Sequence, residues 1–222
     1  MSPSALDSDR AQALALTPVS RETAARLDRF VELLLKWQRT TQLISASTVP
    51  KLWTRHIADS LQLIDLAPKA CVWADMGSGA GFPGLVIACA LAEQPGVLVH
   101  LIESSSRKAA FLREAVAATA APVRIHAVRM EKFVESGEGG IEVVTARAVS
   151  PLDLLLGQCF PLLRAGAVGL FPKGQDIGAE LTKASKCWKI TADLMPSRTD
   201  PRARIVVVHA LEPRPRVTSV SA

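Results

Sequence analysis

The spacing of apolar residues predicts helices in the first third of this chain, followed by alternating strands and helices. One helix is indicated by apolar positions three and four residues apart: Leu27, Phe30, Val31, Leu34 and Trp37. Ser20 is a residue type that caps helix N-termini, so we expect this helix to begin there and to end near Arg39. A second helix is expected from Pro50 to Leu66, and residues 1–17 are expected to be frayed.

From Cys71 onward, short apolar runs alternate with amphipathic stretches. The predicted strands cover 71–76, 97–102, 123–128, 141–145 and 166–171, and the predicted helices cover 83–93, 105–118, 151–163 and 175–186. Such alternation indicates a doubly wound, mostly parallel α/β sheet of the Rossmann-like kind. Two more strands near 187–192 and 205–209 have no crossover helix between them, so we expect an antiparallel edge.

These elements divide the chain into an N-terminal helical extension (1–66), an α/β domain (67–212) and a flexible tail (213–222). A chain of 222 residues suits one such domain with a small extension. No apolar run approaches the roughly 20 residues of a membrane span, and residues 1–10 carry charges where a signal peptide has an apolar core. We therefore expect a cytoplasmic protein, without a membrane partner, that is a monomer.

The net charge of +5 is concentrated near the C-terminus. Residues 1–180 hold 18 Lys/Arg and 18 Asp/Glu, whereas residues 181–222 hold 8 Lys/Arg and 3 Asp/Glu, a difference of +5. A basic segment beside a neutral domain favours an anionic macromolecular partner, with nucleic acid ahead of membrane; a solvated, solubilising tail is the alternative. The residues predicted to contact RNA are Arg55, Arg198, Arg202 and Arg204.

The richest motif follows the first predicted strand and reads Asp75-Met76-Gly77-Ser78-Gly79-Ala80-Gly81-Phe82-Pro83-Gly84. Closely spaced glycines let a backbone turn tightly and approach a ligand. The spacing Gly79-x-Gly81-x-x-Gly84 satisfies a dinucleotide fingerprint, whereas Asp75-x-Gly77-x-Gly79-x-Gly81 has the form usual in S-adenosyl-L-methionine (SAM) sites. Asp75 favours SAM, because a carboxylate suits the cationic amino-acid end of that cofactor. The antiparallel edge also favours a class I methyltransferase over a dehydrogenase.

Other cofactor contacts are predicted at strand ends, where doubly wound sheets bind their ligands. Glu103 ends the second strand about 20 residues past the loop, the position of a carboxylate that accepts hydrogen bonds from both ribose hydroxyls. Met130 and Glu131 follow the third strand, where the methionine could pack on adenine and the carboxylate could meet its edge. An exposed acid at a helix start is the alternative for Glu131.

The end of the fourth strand, where many methyltransferases hold the acceptor, reads Ala146-Arg147-Ala148. Enzymes that methylate an exocyclic amine commonly place an Asn/Asp-Pro-Pro-aromatic motif there, so an N6-adenine target is disfavoured. Guanine N7 has an in-plane lone pair and needs alignment and electrostatic support but no proton removal. Arg147 and Lys173 suit that catalytic role; contact with phosphate or solvent is the alternative.

Other candidate groups are weaker. His56 is expected to be a packed, hydrogen-bonded residue, and Trp53 and Phe82 could stack on a base or belong to the core. Four separated cysteines without a C-x-x-C pair, and no His/Cys cluster, predict neither a disulfide framework nor a metal.

Several of these segments together resemble the RsmG (GidB) family of bacterial 16S rRNA (guanine(527)-N(7))-methyltransferases, from about Leu27 to Val208. The matching segments are Leu35-Lys36-Trp37, Arg55 to Ser60, Gly77 to Gly84, Ser105 to Leu112, Ala146-Arg147-Ala148 and Lys173-Gly174-Gln175. The resemblance implies SAM contacts at Gly77, Phe82, Met130, Glu131 and Arg147. It also implies a guanine of the small-subunit rRNA as the target, with 16S rRNA or the small ribosomal subunit as partner.

This chain departs from the family pattern at Gln38, where an asparagine is usual, at Gln42 to Ser45, where Asn-Leu-Thr is usual, and at Pro172, where an aliphatic residue is usual. A family arginine near the C-terminal strand corresponds to Arg202 or Arg204. Two rival functions are an NAD-dependent oxidoreductase and a non-catalytic RNA-binding protein of ribosome assembly.

Overall fold

The computed structural model describes residues 5–215 and contains one seven-stranded sheet in the order β3-β2-β1-β4-β5-β7-β6. Its strands are β1 (Val72–Met76), β2 (Leu98–Ile102), β3 (Val123–His126), β4 (Val143–Thr145), β5 (Val168–Lys173), β6 (Trp188–Pro196) and β7 (Arg204–Pro213). The first five are parallel, and β7 is antiparallel to both β5 and β6. The predicted fold class and its antiparallel edge are confirmed.

Most of the α-helices flank this sheet, and those before β1 form the N-terminal extension. They are α1 (Ala5–Leu16), α2 (Arg21–Gln38), α3 (Asp59–Leu61), α4 (Gly84–Ala90), α5 (Ser106–Thr119), α6 (Met130–Glu135), α7 (Leu152–Arg164) and α8 (Ile177–Ala184). Strand β1 pairs with β2 on one side and with β4 on the other. The chain order therefore reverses between β1 and β4, which opens a ligand crevice at their carboxyl ends. No helix within residues 5–215 is long and apolar enough to cross a membrane.

Helix α2 follows its sequence prediction closely. The Ser20 side chain accepts the backbone N–H of Thr23 at 3.0 Å, as an N-cap does. Phe30 on its apolar face is fully buried, with its ring centroid 5.3 Å from that of Phe82 and 6.3 Å from that of Phe111. The helical extension therefore shares one apolar core with the α/β domain.

The prediction that residues 1–17 are frayed is wrong for residues 5–16, which form α1. Asp9 on this helix is buried, and its carboxylate accepts the backbone N–H of Trp53 at 2.7 Å and bonds the N–H and hydroxyl of Thr54. Residues 1–4 lie outside the described part of the chain. Contacts 44 and 45 residues away hold α1, and local sequence does not reveal them.

The predicted helix from Pro50 to Leu66 is not continuous. The chain here forms a 3-10 helix that begins earlier (Ala46–Lys51), a π-helix (Trp53–Ala58), the short α3 and a second 3-10 helix (Ile64–Leu66). Single π turns occur frequently at functional sites, where they redirect side chains. Here the π turn carries His56, which faces the crevice.

The C-terminal hairpin is longer than predicted. Strand β7 continues to Pro213, which pairs with Trp188, and the N–H of Arg214 donates to the Cys187 carbonyl at 2.7 Å. A flexible tail beginning at residue 213 is therefore wrong for residues 213–214, and residues 216–222 lie outside the described part of the chain.

Candidate active site

The glycine-rich loop follows β1 and is tied to the end of β2. The N–H groups of Gly77 and Ser78 both donate to the Ile102 carbonyl at 2.9 Å. Gly77 has φ +76°, and a Cβ at this position would lie 2.8 Å from a methyl group of Val149. Both the backbone conformation and the space therefore require glycine here.

Glu103, directly after β2, joins the loop to the next helix. Its Oε2 accepts the N–H of Gly79 at 2.9 Å and its Oε1 accepts the N–H of Ser105 at 2.7 Å. Each carboxylate oxygen has two lone pairs, so both can still accept a ligand hydroxyl. Glu103 also lines the crevice, the placement that a ribose-binding carboxylate needs.

Asp75 lies beneath the loop and does not reach the crevice surface. Its carboxylate accepts the Thr145 hydroxyl at 2.9 Å and the Gly84 N–H at 3.1 Å. A Cβ on Gly84 would stand only 2.6 Å from Cβ of Asp75, so glycine permits this approach. Burial raises the pKa of Asp75 from 3.8 to about 6, although these hydrogen bonds oppose the shift. Asp75 braces the loop, whereas the sequence had suggested direct contact with the cofactor.

Arg147, after β4, turns toward the N-terminal extension. Its Nη1 donates to the Arg55 carbonyl at 2.9 Å and lies 3.3 Å from the Asp59 carboxylate, and its Nη2 lies 2.6 Å from Nδ1 of His56. The guanidinium carbon is 5.2 Å from the centroid of the Phe82 ring. Burial lowers the pKa of Arg147, and Asp59 counteracts this effect.

These contacts define the state of His56. Arginine has donors only, so Nδ1 of His56 must accept from Arg147, and the proton of the neutral ring lies on Nε2, which donates to Thr48 Oγ1 at 3.0 Å. Burial and the neighbouring cations Arg147 and Arg55 lower the pKa of His56 to about 3. The ring stacks on Phe82 with centroids 4.9 Å apart. His56 is thus a packed, neutral residue, as its sequence context predicts.

Lys173, at the end of β5, is also paired within the protein. Its Nζ donates to the Ser150 carbonyl at 3.0 Å and to the Glu180 carboxylate at 2.9 Å. The other ammonium hydrogen can still contact a ligand at the crevice. The same Glu180 oxygen accepts the N–H of Leu152, so Lys173 links β5 to the start of α7 and to α8.

The crevice encloses about 1210 Å³ and opens at the carboxyl ends of β1, β2, β4 and β5. Small-molecule sites usually measure about 300–1,000 Å³, so this volume accommodates a nucleoside cofactor and part of a second substrate. The glycine loop and Glu103 form one side of the crevice. The other side is formed by Lys173 and by Arg147 with its partners Arg55, His56 and Asp59.

Comparison with known proteins identifies the family. Residues 23–199 match the family described as GidB, rRNA small subunit methyltransferase G. The chain belongs to this family. A protein of Bradyrhizobium sp. (strain BTAi1) named ribosomal RNA small subunit methyltransferase G is 57% identical over 204 residues, which cover 92% of each chain. One of the same name from Rhodopseudomonas palustris is 54% identical over 212 residues, covering 96% of this chain and 91% of the relative.

Solved structures agree on the fold. An O-methyltransferase from Bacillus cereus in complex with SAH has a TM-score of 0.60 at 12% identity, covering 92% of this chain and 99% of its own. Cofactor-bound Rv0187 from MTB has a TM-score of 0.57 at 15% identity, covering 94% and 99%. At these identities the likeness concerns the fold alone. This likeness confirms the class I fold, and membership of a methyltransferase family confirms SAM as the cofactor.

Most of the predicted site residues meet in this crevice. Those that line it are Arg55, Gly77, Gly79, Phe82, Glu103, Met130, Glu131, Arg147, Lys173 and Arg204. Within the described chain, Asp75 and Gly81 are not among the lining residues. Arg202 borders a smaller neighbouring recess, and Arg198 pairs with Asp65 on the outer surface at 2.7 Å.

Sequence reasoning missed the residues that orient Arg147. Asp59 bonds Arg147 with one carboxylate oxygen and accepts the Thr199 hydroxyl with the other at 2.9 Å. Thr199 lies 140 residues further along the chain, in the β6–β7 connection. The only signal in the sequence was the segment Arg55 to Ser60, which contains Asp59 but says nothing of its partners.

The structure also brings together two histidines that sequence spacing had left apart. Nδ1 of His100 on β2 lies 3.0 Å from Nε2 of His126 on β3, and a carboxylate oxygen of Glu138 lies within 4.8 Å of both ligand atoms. The sequence shows no His/Cys cluster because 26 residues separate this pair, and only the pairing of adjacent strands brings the two side chains together.

Proposed function

We propose that this protein transfers the methyl group of SAM to N7 of a guanine in 16S rRNA, as free RNA or within the small ribosomal subunit. Membership of the rRNA small subunit methyltransferase G family supports SAM-dependent rRNA methylation. That membership leaves no support for the oxidoreductase or for the non-catalytic assembly protein. The choice of N7 depends on the chemistry at the acceptor end of the crevice. We also propose that the protein acts as a monomer in the cytoplasm.

The residues present fit the cofactor. Glu103 offers free lone pairs to two ribose hydroxyls, and the loop at Gly77 and Gly79 has no side chains to obstruct close approach. Gln158 lines the same crevice, and its buried Oε1 has no hydrogen-bond partner within the described chain. Its Nε2 donates to Glu131 at 3.0 Å, so both side chains can meet the polar edge of an adenine beside Met130.

When bound, SAM supplies a sulfonium-activated methyl group. The acceptor end supplies cations and alignment, and its histidine is poorly placed to remove a proton. Nδ1 of His56 is occupied by Arg147 and Nε2 carries the proton, so neither nitrogen is a free base. Guanine N7 needs no deprotonation before attack, whereas an exocyclic amine must lose a proton during transfer. This neutral, engaged histidine is the observation that best supports N7.

In this proposal Arg147 shapes the acceptor side of the crevice from its fixed position, and Lys173 contacts the O6 edge or a nearby phosphate. An arginine bonded to both O6 and N7 would block methyl transfer. The anchoring of Arg147 by Arg55, His56 and Asp59 limits its freedom to make that bidentate contact.

The test is methylation of 16S rRNA and of small subunits that lack the modification, with isotopically labelled SAM. Nuclease digests analysed by mass spectrometry should contain a single labelled nucleoside, 7-methylguanosine. Label on any other atom of guanine would disprove the N7 assignment, and label on another base would disprove the choice of guanine. Lys173→Ala should lower the single-turnover rate with little change in SAM affinity.

A further inference from the structure

A second cluster of chemistry-bearing side chains lies outside the crevice, on the face of β2 and β3 that α6 covers. Cross-strand pairing matches His100 with Arg124 and Ile102 with His126, so both histidines project from the same face. Their ring planes are inclined by 20° with centroids 5.2 Å apart. Nδ1 of His100 and Nε2 of His126 therefore face each other across one hydrogen bond of 3.0 Å.

Glu138 supplies a third group from the connection between α6 and β4. Its Oε1 accepts Nη1 of Arg124 at 2.8 Å, and its side chain is 30% exposed. Phe133 of α6 packs its ring against both histidines, with centroid distances of 5.8 and 4.8 Å. The three candidate ligand atoms, one per residue, all lie within 4.8 Å of one another.

We propose that His100, His126 and Glu138 form a binding site for one divalent transition-metal ion, Zn²⁺ in the first instance. Two imidazoles and one carboxylate are a known three-ligand set for zinc that leaves a fourth position for water. Two nitrogen ligands on a tetrahedral zinc ion lie roughly 3.3 Å apart at the usual bond lengths. The observed nitrogen separation of 3.0 Å is close to this value, and the two rings, which now face each other, would turn so that both nitrogen atoms point at the ion.

The two rings can change from a hydrogen-bonded pair to a pair of ligands. One ring now donates N–H to the other, and moving that proton to the opposite ring nitrogen frees both lone pairs without a change in charge. Arg124 occupies one oxygen of Glu138, and a hydrogen bond of this kind commonly orients a ligating carboxylate. The second oxygen stays available for the metal.

The site would tie three segments together. His100 and His126 belong to adjacent strands, and Glu138 belongs to the chain directly after α6. Helix α6 begins at Met130, so a metal bound here would stabilise the support beneath the adenine side of the crevice without contacting the cofactor. This role is independent of the acceptor that the enzyme methylates.

The test uses the full chain after treatment with a chelator. Zn²⁺ affinity is measured by competition with a chromophoric chelator, and Co²⁺ absorption reports the ligand type. We expect one metal ion per chain, a Co²⁺ spectrum without a sulfur charge-transfer band, and at least tenfold weaker binding for Glu138→Gln and for His126→Asn. His209→Asn is the matched control, because His209 pairs with Asp193 at 2.9 Å on the exposed β6–β7 hairpin. It should bind metal like the original protein.

Thermal unfolding separates loss of metal from loss of fold. Metal at a hundredfold excess over its dissociation constant should raise the Tm of the original protein and of His209→Asn by roughly 5–10 °C. Metal-free Glu138→Gln, altered at a partly exposed side chain, should melt close to the metal-free original. The proposal fails if the original protein binds no metal, if binding survives both substitutions, or if Co²⁺ shows thiolate ligation.

Discussion

Nη2 of Arg147 lies 2.6 Å from Nδ1 of His56, and this contact joins the end of β4 to the π turn of the N-terminal extension. Asp59 lies 3.3 Å from the same guanidinium, so a carboxylate and a neutral imidazole together fix the orientation of Arg147. Both side chains of the Arg147–Asp59 ion pair are 16% exposed. The position of the strand-end arginine therefore depends on a segment outside the α/β sheet.

Asp59→Asn should destabilise the fold by about 2–4 kcal/mol and lower the single-turnover methylation rate. Removing one partner of a largely buried ion pair leaves the other charge uncompensated. Denaturant unfolding and rapid-quench methylation at saturating SAM measure the two effects. Asp65→Asn is the matched control, because Asp65 pairs with Arg198 at an exposed site, and it should change stability by less than about 1 kcal/mol. Equal effects of the two substitutions would contradict a special role for Asp59.

Glu103→Ala should bind SAM about tenfold or more weakly, because hydrogen bonds to a charged acceptor contribute roughly 1.5–3 kcal/mol. Isothermal titration calorimetry gives the dissociation constant directly. Glu103→Gln keeps one acceptor oxygen and should lie between the alanine variant and the original protein. An unchanged dissociation constant in a folded alanine variant would remove Glu103 from the cofactor site.

Asp75 should make stability depend on pH between about 4 and 6. Its pKa is about 6 in the folded protein against an ordinary 3.8, so the folded state holds the proton more tightly. The stabilisation that comes from this tighter proton binding is fully present below pH 3.8 and is lost as the pH rises through about 6. The ionised carboxylate then costs about 3 kcal/mol.

The measurement compares Asp75→Asn with the original protein by denaturant unfolding at several pH values. The original should lose stability relative to the variant as the pH rises from 4 to 7. Asp153→Asn is the control of opposite sign, because the hydrogen bond with Lys183 lowers the pKa of Asp153. A stability difference for Asp75→Asn that is flat with pH would show that Asp75 titrates normally.

Methyl transfer should be nearly independent of pH from about 6.5 to 8.5 under single-turnover conditions with both substrates saturating. N7 of guanine needs no general base, and the pKa of His56 near 3 lies far below this range. Rapid-quench rates at constant ionic strength provide the profile. A tenfold rise in rate per pH unit would indicate that a base participates in the rate-limiting step.

The basic hairpin end should bind RNA through its phosphates. Arg198 and Arg202 are about half or more exposed, and Arg204 lines the crevice. Replacing these three arginines with glutamine should weaken RNA binding and flatten the plot of log affinity against log salt. The slope of that plot changes by about 0.9 for each duplex phosphate contact. Fluorescence anisotropy at several salt concentrations measures both.

Three lysines provide the matched control for that charge change. Lys183, Lys186 and Lys189 lie at the opposite end of β6 from Arg198, and replacing them with glutamine removes the same charge. Their triple variant should keep the salt slope of the original protein. Equal slopes for both triple variants would mean that the basic excess acts only through overall charge.

The sequence revealed those features whose causes are local. Helix α2 was predicted because its cap, Ser20, and its apolar stripe lie within one segment, and the glycine loop was predicted because backbone geometry demands glycine at Gly77. Helix α1 was missed because a buried carboxylate, Asp9, orders it through contacts 44 residues away. The segment from Pro50 to Leu66 was read as one helix because its 3-10, π and α elements are only three to six residues long, too short for their different residues per turn to appear in the apolar spacing.

The candidate site divides in the same way. The strand-end positions of Glu103 and Arg147 followed from the alternation of strands and helices, but the direction of each side chain did not. Asp75 turned under the loop because Gly84 leaves room for it there, and Arg147 turned toward His56. Such orientations depend on packing between distant segments, which the spacing of residues along a single sequence does not encode.

Helix α1 does not line the crevice, but hydrogen bonds connect it to Arg147. Asp9 holds the backbone of Trp53 and Thr54, the next turn presents His56, and His56 in turn holds Arg147. Helix α1 is therefore connected to the crevice through these successive contacts: Asp9 to the π turn, and His56 of that turn to Arg147. The amino-terminal helix therefore helps to fix the geometry of the active site. A substitution in this helix would lower the methylation rate although the helix contacts neither substrate.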